Sequence, residues 1–383
     1  MRETRTVRLA TRGSDLALRQ AATVAEQLED RHTEVELVEV ETEGDRIRDE
    51  LIHRLGKTGA FVRALDERVI DGEVDAAVHS MKDVPTDFPD ELVVAGIPER
   101  APANDVLLTP GGRTLDELPE GATVGTSSLR RQAQLLAERP DLDVQPLRGN
   151  VDTRVEKLLA TSVGKEHDRR VAADGEFDSP SASGTESRPA EEEEDPNETF
   201  DQSSEEWFES LSVLEQDALA RYPVETAYDA IVLAEAGLER MGLLHHVPHA
   251  RLDPNEFVPA PGQGAIAVTA LADDAASFRE TVDHPRTRVE TTVERTVLKE
   301  LGGGCVAPLG VHATVRGEYV HVVARVLDRA GEETIRETSD LPANDHADAA
   351  RAFAADIADR GGAELVAEAR KTAEEHEETE GAR

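Results

Sequence analysis

Along this 383-residue chain, short apolar runs end in polar loops rich in Gly, Ser and Thr, and each loop opens into a stretch whose apolar residues return every three or four positions. In TVRLATRGSDLALRQAATVAEQLED the run predicts a strand, and Ala17, Ala21, Val24 and Leu28 predict one face of a helix capped by Ser14. ATVGTSSLRRQAQLLAERP repeats the plan with a strand at Ala122–Gly125, a Thr-Ser-Ser turn, and a helix that buries Leu129, Ala133 and Leu136 before Pro140 stops it. VQPLRGNVDTRVEKLLA does so again, with Asn150 at the cap and Val151, Val155, Leu158 and Leu159 inward. YDAIVLAEAGLERMGLL reads as a buried, parallel-type strand followed by a helical turn at Leu238. Strand–helix alternation of this kind predicts α/β domains with parallel or mixed sheets.

The pattern changes twice. Between Thr161 and Glu225 there are 19 acidic residues against 5 basic ones, too few apolar side chains to offset ordering entropy, and only WFESLSVLEQDALARY has helical texture. This stretch is expected to be largely disordered or a solvated excursion, with an acidic interaction arm as the alternative. After Pro285, TRVETTVERTVLKELGGGC predicts a helix ended by glycines. GVHATVRGEYVHVVARVLDRAGEETIRET then alternates through turns at Gly317-Glu318 and Ala330-Gly331, an antiparallel three-stranded meander, and ANDHADAARAFAADIADRGGAELVAEA predicts a closing helix.

Charge narrows the function classes. The net charge is −38 and only six of the 42 basic residues are lysine, which excludes nucleic acid and anionic membranes as partners of the general surface and predicts a protein that works in concentrated salt. No stretch is apolar enough for a membrane span or signal peptide, so a cytoplasmic location is expected. The single cysteine, Cys305, makes no intrachain disulfide and no thiolate zinc site on its own. Either it is a small buried hydrophobe, or the three preceding glycines leave it an open, reactive thiol.

Against this acidic background, arginines recur at the strand-to-helix loops: Arg12 before Ser14, Arg130 and Arg131 after Thr126-Ser127-Ser128, Arg148 and Arg154 around Asn150, and Arg240 after Gly237. Each alone reads as a surface ion pair. Together, beside helix N-termini at the carboxyl ends of strands, they predict a ligand with several anionic groups. Lys82 and Asp83, after the strand Val74–Val78, are either a routine turn pair or a carboxylate partner and a proton donor–acceptor. HHVPH lacks metal-ligand spacing and reads as loop histidines, so no metal is expected, and PAPGQGA reads as a rigid connector or hinge.

Taken in order, RLATRGSDLAL, HSMKDVP, GTSSLRRQAQL, LRGNVDTR, YDAIVLAEAGLERMGL, PAPGQGA and GGGCVAPLG closely resemble the hydroxymethylbilane synthases, also called porphobilinogen deaminases. The resemblance, with the acidic composition, points to a halophilic archaeal member. It implies three domains: 1–101 with 263–283, and 102–262, both periplasmic-binding-protein-like α/β, then 284–383, a small α+β domain with the three-stranded sheet. It implies a transferase that condenses four porphobilinogens with loss of ammonia on a dipyrromethane cofactor held by Cys305, then releases 1-hydroxymethylbilane. By the same resemblance Asp83 and Lys82 are catalytic, Thr126, Ser127, Ser128, Arg130, Arg131 and Arg154 hold the cofactor, and Arg12, Ser14, Arg148 and Arg240 meet substrate. Relatives imply a monomer. In ERAPANDVLL only Asp105 matches the family's Arg-Asp pair, which leaves the interdomain contacts there open. Two competing expectations are a non-catalytic polycarboxylate-binding clamp and a redox-sensing thiol protein.

Overall fold

The computed structural model describes residues 5–40, 60–87, 89–174, 200–221, 228–303, 307–369 and 371. Cys305 and the centre of the acidic stretch, 175–199, lie outside the described residues.

The first sheet takes β1 (Arg5–Arg12), β2 (Thr33–Val40), β3 (Ala76–Ser80), β4 (Leu92–Gly96) and β10 (Ile266–Leu271), in the order β2-β1-β3-β10-β4. The second takes β5 (Asp105–Leu108), β6 (Thr123–Gly125), β7 (Asp143–Gln145), β8 (Ala230–Ala234) and β9 (His249–Arg251), in the order β7-β6-β8-β5-β9. Four of the five strands in each sheet run the same way, and one runs antiparallel between its neighbours: β10 in the first, β5 in the second. Both antiparallel strands arrive from the other sheet. The chain therefore crosses between the two sheets twice.

The helices follow from their apolar stripes. α1 (Asp15–Leu28) buries Ala21, Val24 and Ala25 on the first sheet, and the Ser14 hydroxyl accepts the Ala17 N–H at 3.4 Å. α2 (Ala60–Ile70) packs Leu65 and Val69 on the other side of that sheet. In the second half, α3 (Leu129–Glu138) is capped by Ser128, α4 (Val151–Ala173) buries Val155, Leu158 and Leu159, and the seven-residue α7 (Glu235–Met241) ends on left-handed Gly242. After β10, α8 (Ala275–Val282) covers the first sheet with Phe278 and Val282.

The third unit is the meander β11 (Leu309–Arg316), β12 (Tyr319–Leu327) and β13 (Thr334–Pro342). Its alternate residues Val311, Ala313, Val320, Val322, Ala324 and Val326 pack on α9 (Pro285–Glu300) and α10 (His346–Asp359). The closing helix expected as one piece is broken: α10 stops at Asp359, Gly361 takes φ +98°, and α11 occupies 362–369. Adjacent Gly361 and Gly362 supply a left-handed stop that the flanking helical residues do not override.

In its described parts, 161–174 and 200–221, the acidic stretch holds helix beyond the expected WFESLSVLEQDALARY segment. α4 continues to Ala173, and α5 (Ser204–Ser210) and α6 (Val213–Arg221) return onto it. Trp207, Leu211, Leu214 and Ala218 recur at helical spacing against Leu159 and Val163, and Arg170 lies over the Phe200 and Trp207 rings, 4.3 and 5.1 Å from their centres. That stripe lies in WFESLSVLEQDALARY, the segment expected to be helical; the charge count hides the continuation of α4 to Ala173 instead.

Candidate active site

The two crossings lie side by side, and a buried ion cluster joins them. Asp105, at the start of β5, accepts from Arg130 Nη2 at 2.7 Å, from Arg131 Nε and Nη2 at 3.0 and 2.8 Å, and from Gln263 Nε2 at 2.9 Å. Arg130 also donates to the Val258 carbonyl at 2.7 Å, and Arg131 to that of Val232 at 3.1 Å. Burial works to raise the Asp105 pKa, but the two guanidinium charges overcome it and hold the carboxyl below its ordinary value. Burial likewise pushes Arg130 down in spite of Asp105.

The second crossing, Val258–Ala265, is built for close approach. Gly262 and Gly264 have φ of +77° and +85°, and a Cβ at Gly264 would lie 2.4 Å from the Ala101 carbonyl oxygen. Gly262 N–H donates to Glu294 at 2.7 Å, and Glu294, on α9, takes Arg100 from the first crossing in a fork at 2.8 and 3.0 Å. One buried carboxylate thus ties both crossings to the third unit, which it enters through the Ala313 N–H at 2.8 Å.

β3 delivers the catalytic candidates. It runs into a single 3₁₀ turn, Met81–Asp83, in which Met81 is buried and its N–H donates to the Ala265 carbonyl at 3.0 Å, while Lys82 and Asp83 are exposed. The Asp83 charge acts to raise the Lys82 pKa, but, although the side chain reaches solvent, the protein around it and the charges of Arg131 and Arg154 outweigh that effect, and the ammonium sits below its ordinary value. The arginine loops of the second half thus act electrostatically on Lys82.

Those loops divide the predicted residues by task. Thr126 Oγ1 accepts the Ser128 N–H at 3.2 Å, the Ser127 hydroxyl donates to the Leu147 carbonyl, and Ser128 caps α3. Arg130 and Arg131, expected to face the cofactor, spend most of their donors on Asp105 and main-chain carbonyls. Arg154, in the first turn of α4, donates only to the Gly149 carbonyl, at 2.8 Å, among the bonds of the described residues. Burial and then the Arg131 charge lower its pKa to about 10. Arg148 keeps a buried Nη1 with no hydrogen-bond partner among the described residues. Arg12 is half-buried where β1 ends. Arg240 departs from the expected helix N-terminus: α7 is so short that it falls in the last turn, donating to the Gly264 carbonyl at 2.7 Å, and burial lowers its pKa.

Cys305 lies outside the described residues, but its flanks are fixed. Before it, Gly303 N–H donates to the Leu298 carbonyl at 2.9 Å; beyond it, Gly310 abuts Val258 so tightly that a Cβ would be 2.4 Å from that carbonyl oxygen. Val311 N–H then donates to the Pro259 carbonyl at 2.9 Å. Gly303 thus closes onto the end of α9, and Gly310 and Val311 onto the crossing held by Arg130.

Gln263, Arg100 and Glu294 went unnoticed at the level of sequence. Glu294 carried a usable signal: Thr287, Glu290, Thr291 and Glu294 place polar groups on the same buried face of α9 as Val293 and Val297, a pattern that needs buried partners.

Comparison with known proteins agrees with this arrangement. The family model for the porphobilinogen deaminase dipyromethane cofactor binding domain matches residues 7–173 and 216–279, leaving out most of the acidic stretch, and that for the porphobilinogen deaminase C-terminal domain matches 289–359. A probable porphobilinogen deaminase of Halobacterium salinarum is 53% identical, over 96% of this chain and 99% of that one. One of Methanococcoides burtonii is 38% identical over 94% and 96%, and the porphobilinogen deaminase of an Exiguobacterium species 35% over 95% and 98%. With both family models matched across its three sheets and relatives aligned over nearly its whole length, the chain belongs to the porphobilinogen deaminase family.

Proposed function

We propose that the chain is a hydroxymethylbilane synthase that joins four porphobilinogens head to tail, each with loss of ammonia, and releases 1-hydroxymethylbilane by hydrolysis for tetrapyrrole biosynthesis. The observation that supports this is the pair Arg154 and Arg148, cations without a carboxylate partner among the described residues, the first of which acts electrostatically on Lys82 in the turn after β3. Every porphobilinogen ring bears an acetate and a propionate, so a growing chain needs such cations in number.

The donor set fits the family's dipyrromethane. Arg148 has an orphaned buried Nη1, Arg130 an orphaned buried Nε, and Arg154 is a cation held by burial rather than by an acid. Thr126, Ser127, Ser128, Arg130, Arg131, Arg154 and Lys82 would hold the cofactor carboxylates, and Cys305, the chain's only thiol, its thioether. When bound, the dipyrromethane supplies the nucleophilic pyrrole carbon on which substrate condenses. Asp83 does the acid–base work: its carboxylate stabilises the positive charge that grows on the substrate pyrrole as ammonia leaves, then takes the proton lost when the new ring pair regains aromaticity. Arg12, Ser14, Arg148 and Arg240 orient the incoming substrate by its carboxylates.

The same reading divides the chain into domains 1–101 with 263–283, 102–262 and 284–383. It makes the protein a cytoplasmic monomer without nucleic-acid partners; among the described residues no helix is long and apolar enough to cross a membrane. A net charge of −38, the scarcity of lysine and a 53% identical relative from Halobacterium salinarum support a halophilic source. Intact-mass measurement of natively expressed protein tests the assignment. Two added pyrrole units are expected, together with four ammonia per tetrapyrrole from porphobilinogen, whereas an unmodified chain mass overturns it.

A further inference from the structure

Resting on that reading of Asp83, one contact made by α9 bears on catalysis without touching substrate. Arg295 reaches back to the turn at the end of β3: its Nη1 donates to the Val84 carbonyl at 2.8 Å and the Met81 carbonyl at 3.4 Å, and its Nη2 to the Pro85 carbonyl at 2.7 Å. These carbonyls bracket Lys82 and Asp83. Met81 and Val84 are buried, and the Met81 carbonyl already accepts the Val84 N–H at 3.2 Å; a cation with a planar fork is a fitting further partner for the carbonyls at this end of the turn. Pro85 has no N–H, so the chain after Asp83 has few donors with which to fix itself. One turn further along α9, Lys299 pairs with Asp87 at 3.2 Å.

We propose that Arg295 is a positioning residue, clamping the main chain around Lys82 and Asp83 to the helix that leads into the cysteine loop. Because these bonds from the guanidinium go to backbone oxygens of the turn, they leave the Lys82 and Asp83 side chains available for chemistry while fixing the main chain that carries them. This makes the separation between the acid–base group and the cofactor-bearing unit a property of α9 rather than of either half of the clamp.

The test is steady-state kinetics of the cofactor-loaded enzyme for Arg295→Met and Arg295→Lys beside wild type, with loading checked by intact mass. Displacing a reacting group by about an ångström costs on the order of a hundredfold, so Arg295→Met should lose about that factor in kcat with KM for porphobilinogen changed less than about threefold. Arg295→Lys, which can still donate to the Val84 and Pro85 carbonyls, should recover to within about tenfold of wild type. A raised KM at unchanged kcat in either variant would make Arg295 a carboxylate-binding group and overturn the proposal, as would kinetics equal to wild type. If Arg295→Met does not fold, Arg295→Lys decides by the same split. A wild type that releases no ammonia overturns the function itself, whereas insensitivity to these changes in an active wild type overturns only the role of Arg295.

Discussion

Asp105→Asn isolates the ion cluster at the first crossing. Asp105 is fully buried, its Arg130 and Arg131 partners are 4% and 7% exposed in their side chains, and its two oxygens accept four bonds between 2.7 and 3.0 Å. Asparagine keeps the shape, but it removes the charge and points an N–H₂ at one guanidinium or the other, leaving two buried cations uncompensated. Removing one partner of a buried pair costs about 3–5 kcal/mol. At roughly 2–4 °C per kcal/mol for a unit of this size, the midpoint should fall by roughly 6–20 °C. The single tryptophan, Trp207, packs in the second half and so reports unfolding of the unit that carries the cluster. The folded-state pKa of Asp105 is lowered, so its contribution is complete above the unfolded carboxylate value, about 3.9, and fades as pH drops through the folded one. The gap between wild type and variant should therefore be widest near neutrality and close in acid. A midpoint within about 2 °C of wild type at neutral pH, or a gap that persists unchanged down through the acid range, refutes the cluster's role.

Asp83→Asn should lower kcat by roughly 10²–10⁴-fold while leaving the thermal midpoint in place, because the carboxylate is exposed; near-normal turnover removes Asp83 as the acid–base group. Arg154 has its pKa lowered to about 10, so anion binding by the cofactor-free chain should weaken as pH rises through that value; titration with a dicarboxylate, followed by calorimetry, checks this, and Arg154→Gln should abolish that step. Gly264→Ala puts a Cβ 2.4 Å from the Ala101 carbonyl oxygen at φ +85°, so it should lower the melting midpoint by more than the strain of a left-handed alanine alone, about 1–2 kcal/mol; an unchanged midpoint would show that the second crossing tolerates a side chain.

What could be read in the chain is what repeats at short range. β11 ends at Arg316 and β12 begins at Tyr319, either side of the Gly317-Glu318 turn, because alternation and turn chemistry are local. The same holds for Ser14 and Ser128 as caps. What could not be read is how the arginines divide. Arg130, Arg131, Arg148 and Arg154 look alike as cations in strand-to-helix loops, yet the first two are drawn inward and the last two left to the cleft. The difference is Asp105, on a strand that enters antiparallel from the other half, so no periodicity near Arg130 announces it. The acidic stretch shows both cases: the stripe through Trp207, Leu211, Leu214 and Ala218 is local and legible, whereas the charge average conceals the continuation of α4 to Ala173. In a chain with a net charge of −38, cations are common partners for acids and rare partners for ligands. Arg154 and Arg148 escape because the loops that carry them stand at strand ends where the two halves face each other, and the nearest charges acting on Arg154 include another arginine rather than an acid. On the proposed function a polycarboxylate supplies the counter-charge that neither side chain finds among the described residues, so topology rather than composition would make the anion site.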